Sequence, residues 1–185
     1  MIYPIVVYGS PVLRKVASEI DKDYPNLTKL IEDMFETMYA SDGIGLAAPQ
    51  IGKSIRLMVI DATSLAEEEP KLANFKKVFI NPEIIKEEGA EWAFSEGCLS
   101  LPKIREDVVR KPNVHIQYYD ENFEFHDEKW DGIAARIIQH EYDHLEGVLF
   151  VDHLSPLKKK LLKGKLNAIS KGKVDANYKV KVMSK

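Results

Sequence analysis

Residues 131–147 read DGIAARIIQHEYDHLEG, and this stretch constrains the architecture of the chain more than any other. Asp131-Gly132 precedes a helical pattern that runs to Glu146, where Gly147 can supply the left-handed stop. Residues four apart share one face of a helix, so His140 and His144 can direct ring nitrogens to a single ion about 2.0 to 2.1 Å away. Glu141 is turned about 100° from His140 and is placed to reach water held by that ion, not to join the ligands. Two ligands and one base is the division of labour for which H-E-x-x-H recurs in metal hydrolases. By itself the pattern also fits a polar helix face that carries two histidines near the surface.

A hydrolytic site of this kind usually takes three protein ligands, and the helix supplies two. The segment follows H-E-x-x-H-x-x-G-x-x-H as far as Gly147, but the last position is Phe150. His153 falls three residues too late, and Glu146 stands two residues past His144, on the wrong side of the helix. Cys98 remains. It lies in EGCLSLP, where the preceding Gly97 and the closing Pro102 present a thiol from an extended strand end. A thiolate beside a divalent metal is deprotonated and bonds at about 2.3 Å. Out of context, a lone cysteine is as readily a small core residue.

Gly43 to Gly52, GIGLAAPQIG, is a glycine-rich turn directly after a helix. It lacks the Lys-Ser/Thr of a phosphate-binding loop and does not lead from a strand into a helix, which argues against a nucleotide. Such a turn can bring bare backbone and the Gln50 amide close to a substrate. Ile44 and Leu46, flanking Gly45, and Ile133 and Ile137, on the His140 face of the helix, are candidates for an apolar pocket. They serve equally well as core.

Around these motifs the chain reads as an α+β domain, a mostly antiparallel sheet region packed around the histidine-bearing helix, with a further helix at each end. Leu27, Leu30, Ile31, Met34 and Met38 recur at helical spacing until Ser41-Asp42-Gly43. Ser155-Pro156 opens a last helix reaching about Ser170. Arg56–Asp61, Val78–Asn81 and Val114–Tyr119 read as strands, and residues 83–96 add one or two more. With 185 residues, 45% of them hydrophobic, one domain over residues 1–170 is expected, followed by a basic tail over 171–185. From Ser155 onward ten lysines face one acid, so the preceding 154 residues carry −12 against an overall −3. That end is expected to be solvated and partly frayed, or to touch RNA or another polyanion. A single cysteine forms no internal disulfide, and the N-terminal residues lack a secretory pattern; both point to a reducing, cytoplasmic setting. No apolar run is long enough for a membrane span.

Taken together and in this order, GIGLAAPQ, EGCLS and QHEYDHLEG resemble the peptide deformylases, and the likeness extends from GSPVLRK to LSPLKKK. The resemblance implies Cys98, His140 and His144 as metal ligands and Glu141 as general acid and base. It makes Gln50 and the Leu99 backbone N–H donors to a developing oxyanion. Formylated nascent polypeptides become the substrate class and formate the product, while Gly45 and Arg105 match positions along the peptide cleft. Fe(II) is the implied metal, although Zn, Ni or Co suit the same donors. The ribosome is a further expected partner, reached through the basic C-terminal region, with no membrane or DNA involved. Three departures stand out: Pro49, the absence of a family pattern after about Lys171, and Arg136. The last replaces an expected aliphatic residue four before His140, so its stem is expected to line the pocket while its guanidinium reaches solvent. Other readings of the same residues are a small zinc peptidase, a structural metal module, and an RNA-binding domain that uses the lysine-rich end.

Overall fold

A computed structural model describes residues 1–184. In chain order the regular elements are β1 (Ile5–Val6), α1 (Leu27–Ala40), β2 (Gly45–Ala47), β3 (Leu57–Asp61), β4 (Lys76–Glu88) and β5 (Trp92–Cys98). There follow β6 (Leu101–Arg110), β7 (Asn113–Tyr119), β8 (Phe125–Asp131), α2 (Gly132–Leu145), α3 (Pro156–Ser170) and β9 (Val180–Lys181). Five strands form one antiparallel sheet in the order β2-β3-β4-β7-β8; β5 and β6 make a separate hairpin, and β1 pairs with β9 in parallel.

The interior strand β3 shows why this is an α+β fold. Its sequence, LMVID, is apolar almost throughout because both of its faces are covered. Side chains alternate across a strand, so Met58 and Ile60 pack with Ala134, Ala135 and Ile138 of α2. Leu57 and Val59 point the other way, into a core with Leu30, Met34 and Met38 of α1. The sheet therefore holds α2 on one face and α1 on the other. A third core joins α3, through Leu162, Leu166 and Ile169, to Leu101, Ile104 and Val108 of the hairpin.

The three helices lie where the apolar spacing predicts, and Ser155 caps α3 by accepting from the Lys158 N–H. The strands depart more. β4 runs through Pro82 as one bent element: Asn81 is left-handed at φ 49° and bulges interrupt the register on either side of Glu83-Ile84. Asn81 locks that bend by exchanging two side-chain hydrogen bonds with the backbone of Ile20. β6 and β8, charged and half-exposed, carry a weak apolar alternation and escape the sequence reading. The 43–52 segment is more than a turn, because Gly45–Ala47 adds an edge strand beside β3 before a short 3-10 helix from Ala48 to Ile51.

The basic end is partly ordered. After α3 the chain turns at Gly172, and Val180 and Lys181 pair with Ile5 and Val6. Val174 and Val180 pack against the third core, while Lys179 and Lys181 remain exposed. The apolar residues are too few and too irregularly spaced to announce a strand, but alternate ones find a covered face.

Candidate active site

The site forms where the end of β5 meets the last two turns of α2. Cys98, the last residue of β5, holds its Sγ 3.3 Å from His144 Nε2, and the three donor atoms of Cys98, His140 and His144 lie within 4.8 Å of one another. A strand end thus contributes the sulfur that the helix cannot. Burial opposes charge on the Cys98 thiol, but His144 and His140 overcome it and hold the group down to about 5. His140 is correspondingly raised: burial works against its charge, while bonds to Cys98 and Glu96 favour it. A thiolate beside two imidazoles is a donor set ready to exchange a shared proton for a cation.

Glu96 is the residue that sequence reasoning missed. It stands two residues before Cys98 on the same strand, so period-two alternation places both on one face. Its Oε1 lies 2.8 Å from His140 Nδ1, which leaves the other ring nitrogen, Nε2, for the cluster. Although Glu96 is almost fully buried, bonds from His140 and Arg110 overcome the burial and keep its carboxyl well below the usual carboxylate range. Arg110 reaches it twice, at 2.8 and 3.0 Å, and also meets Asp143 at 2.9 Å.

Arg136 corrects an expectation. Its guanidinium does not reach solvent; the residue is 3% exposed and donates to Glu96 Oε2, the Val108 carbonyl and the Trp92 carbonyl, each at 2.8 Å. The Trp92 ring lies 4.8 Å from its guanidinium carbon. A buried carboxylate on the neighbouring hairpin draws the cation inward, where the charge is paired.

Glu141 is buried at the floor of the cleft, and burial raises its carboxyl above the ordinary range despite the nearby histidines. Its Oε2, like His144 Nδ1, has no hydrogen-bond partner among the described residues. The chain makes room for this side chain with glycine: a Cβ at Gly45 would lie 2.5 Å from Glu141 Oε1. Gln50 is equally fixed, its Oε1 accepting from the Ala47 N–H at 2.9 Å while Nε2 points to Ser100 Oγ at 3.2 Å and Cys98 Sγ at 3.5 Å.

These groups line a cleft of about 400 Å³ that also includes Ile44, Gly45, Leu99, Arg105 and Ile137. Asp42, Phe94, Lys103 and Tyr178 also line it, and sequence reasoning singled out none of them. Two pocket candidates belong elsewhere. Leu46 is wholly buried in the core beneath α1, because strand alternation turns it away from Gly45. Ile133 packs into the core between α2 and the sheet, a full turn from Ile137.

A soft sulfur with two imidazole nitrogens suits a transition metal of the iron-to-zinc series, and Glu96 supplies the orienting bond such a histidine ligand needs. The buried, unpartnered Glu141 oxygen beside that donor set is what a water-activating site requires.

The family model described as "Polypeptide deformylase" matches residues 2–160. A peptide deformylase of Christiangramia forsetii is 56% identical over 188 residues, covering 98% of this chain and 96% of that relative. One from Flavobacterium psychrophilum is 54% identical and covers 100% of this chain and 99% of its own. Among solved structures, the Legionella pneumophila peptide deformylase superposes with a TM-score of 0.81 at 40% identity, covering 92% of this chain and 96% of that one. That of Thermotoga maritima gives 0.75 at 43% identity, with 84% and 99% covered. With its donor cluster, its buried carboxylate and these relatives in agreement, the chain belongs to the polypeptide deformylase family.

Proposed function

We propose that the cleft hydrolyses the formamide at the amino terminus of formylmethionyl nascent polypeptides, with Cys98, His140 and His144 holding one divalent metal ion. Removal of the N-formyl group as formate is the activity of this metal-dependent family, and the geometry of the cleft supports the residue roles proposed here. The observation that carries them is the Glu141 carboxylate, buried, raised by that burial and unpartnered at one oxygen, directly beside the three donors.

Bound there, the metal would supply Lewis-acid activation of a water and of the formyl carbonyl. Glu141 takes the proton of the attacking water. Burial raises its carboxyl, which makes it a readier proton acceptor than an ordinary carboxylate. As the formyl oxygen gains charge, the Gln50 amide and the Leu99 N–H donate to it; such donors are commonly worth about 3 to 4 kcal/mol each. Glu141 then delivers its proton to the departing amine, which would otherwise leave as a poor anion. Ile44 and Ile137 give the cleft apolar wall for a methionine side chain, and Arg105 stands at the exposed rim.

We take Fe(II) as the resident metal, since a thiolate with two imidazoles accommodates it, with Zn, Ni or Co as substitutes. Anaerobic purification, elemental analysis and formate release from a formyl-Met peptide test both points together. Cleavage of an internal peptide bond without formate would instead establish the peptidase reading.

No helix is long and apolar enough to cross a membrane among the described residues. We place the enzyme in the cytoplasm, docked to the ribosome through the lysines of α3, of which Lys159, Lys160 and Lys163 are exposed beside Leu157 and Leu161. Co-sedimentation with ribosomes should fall when these three lysines are changed to glutamine. Unchanged sedimentation rejects that docking face.

A further inference from the structure

The N–H of Leu99, a proposed oxyanion donor, sits in the two-residue turn that joins β5 to β6. A two-residue hairpin turn has a narrow set of backbone conformations, and hydrogen bonds from outside the ladder help hold its peptide planes in one orientation. Ser100 is tied on two sides: its carbonyl accepts from the Tyr8 N–H at 2.9 Å, and its hydroxyl meets Gln50 Nε2 at 3.2 Å. Leu99 itself is tied by one residue, Tyr178, whose hydroxyl donates to the Leu99 carbonyl at 2.8 Å.

Tyr178 arrives from the C-terminal segment, far from every motif. That segment is a strap tied to two cleft-lining residues. Asp175 pairs with Lys103 of β6 at 2.7 Å, and Asn177 donates to Asp42, in the turn after α1, at 3.4 Å. Beyond Tyr178 the strap is anchored by Ile5 N–H to the Lys179 carbonyl, Val7 N–H to the Lys181 carbonyl, and Met183 N–H to Ser10 Oγ. Asp42, Leu99, Lys103 and Tyr178 all line the cleft. The phenol ring and the Leu99 side chain pack against the same core beneath α1, so the hydroxyl is delivered by a ring that is itself held.

We infer that Tyr178 is a positioning residue for the Leu99 amide: its hydroxyl fixes the peptide on one side of Leu99 so that the N–H on the other side stays aimed into the cleft. Through Tyr178 the chain after α3 thereby supports the active site. The inference rests on the donor role given to Leu99. Its energetic logic is that a preorganised donor costs nothing to orient when charge develops, whereas a turn free to rock must be reoriented during the reaction.

The test is Tyr178→Phe in the full-length, metal-loaded enzyme, assayed by formate release from a formyl-Met peptide across a range of concentrations. The ring and its packing stay, and only the hydroxyl leaves. The expected result is a fall in kcat of roughly five- to twentyfold, less than the loss of a whole oxyanion donor, with KM within about twofold. Metal content should match the parent, and the melting temperature should stay within about 4 °C, as for the loss of one hydrogen bond. Lys179→Ala, an exposed position on the same strap, should match the parent throughout. Unchanged kcat in Tyr178→Phe overturns the inference. A rise in KM alone overturns it in favour of a substrate-contacting wall, and loss of metal or a larger drop in melting temperature in favour of a folding role. Absence of formate release from the parent would instead sink the deformylase reading itself.

Discussion

Gly45 and Glu141 are complementary in shape: the missing side chain of the one is the space occupied by the carboxylate of the other, since a methyl carbon at 45 would come 2.5 Å from Oε1 and 2.8 Å from Cγ. The glycine is required for proximity, because its φ is not in the left-handed region. Gly45→Ala should therefore displace Glu141 while sparing the three donors. We expect kcat/KM to fall by about 10²-fold, the scale of an ångström-sized misplacement, with full metal occupancy. Equal activity in this variant would show that Glu141 has room to spare.

Glu141→Gln tests the same carboxylate chemically. The amide fills the volume but accepts no proton, so kcat should drop by roughly 10²- to 10⁴-fold with metal retained. Because the lost group is the one that takes up a proton, the acidic limb of the pH–rate profile should flatten in the residual activity. A profile identical in shape to the parent would remove Glu141 from the role of base.

Cys98→Ser replaces a soft thiolate, already favoured by His144 and His140, with a hydroxyl that stays protonated at neutral pH. Metal content after dialysis should fall well below one per chain, and activity should fall in proportion. Elemental analysis of parent and variant treated alike decides the matter. Undiminished metal would return Cys98 to a packing role.

Arg136→Leu should separate stability from chemistry. It strips Glu96 of one cation and leaves the Val108 and Trp92 carbonyls without their donor. Removing one partner of a buried pair costs about 3 to 5 kcal/mol, which denaturant unfolding would register. Arg110 still holds both Glu96 oxygens, so kcat/KM of the folded fraction should change less than tenfold. A stability equal to the parent would mean that the buried pair contributes nothing net.

Glu96 gives the fold an acid limit. Its carboxyl lies far below the unfolded value of about 4.3, so between the two the unfolded chain binds one more proton than the folded one. Stability from Glu96 is complete above the unfolded value and is lost as pH falls toward the folded one, by at most about 1.4 kcal/mol per pH unit. In metal-free protein, Glu96→Gln should be less stable than the parent at pH 7, and that gap should narrow below about pH 4.5. A gap that stays constant down to pH 3 would disconnect Glu96 from acid unfolding.

Much of the site was legible before any fold was known, because its chemistry is written in local patterns. Two histidines four apart declare a shared helix face, and a thiol in a glycine-preceded, proline-terminated segment declares an extended strand end. What the local patterns left open or misplaced depended each time on a partner far along the chain. Arg136 lines the cleft as expected, but its guanidinium was expected in solvent until Glu96, forty residues away, gave its charge a buried counterion. Leu46 and Ile133 had the right character, but whether an apolar side chain faces a cleft or a core depends on the register of neighbouring strands and helices. The same is true of Glu96, which alternation alone could have placed beside Cys98 but could not have aimed at His140.

Periodicity and motif spacing are properties of neighbouring residues, and they marked the three helices and the candidate sulfur and imidazole donors, while the resemblance of those motifs pointed to the family. The depth of burial of Glu141, the inward turn of Arg136 and the return of the C-terminal strand to Ile5 and Val6 were decided by contacts between segments distant in the chain. Burial and long-range pairing arise only when those segments meet, so no local pattern carries them.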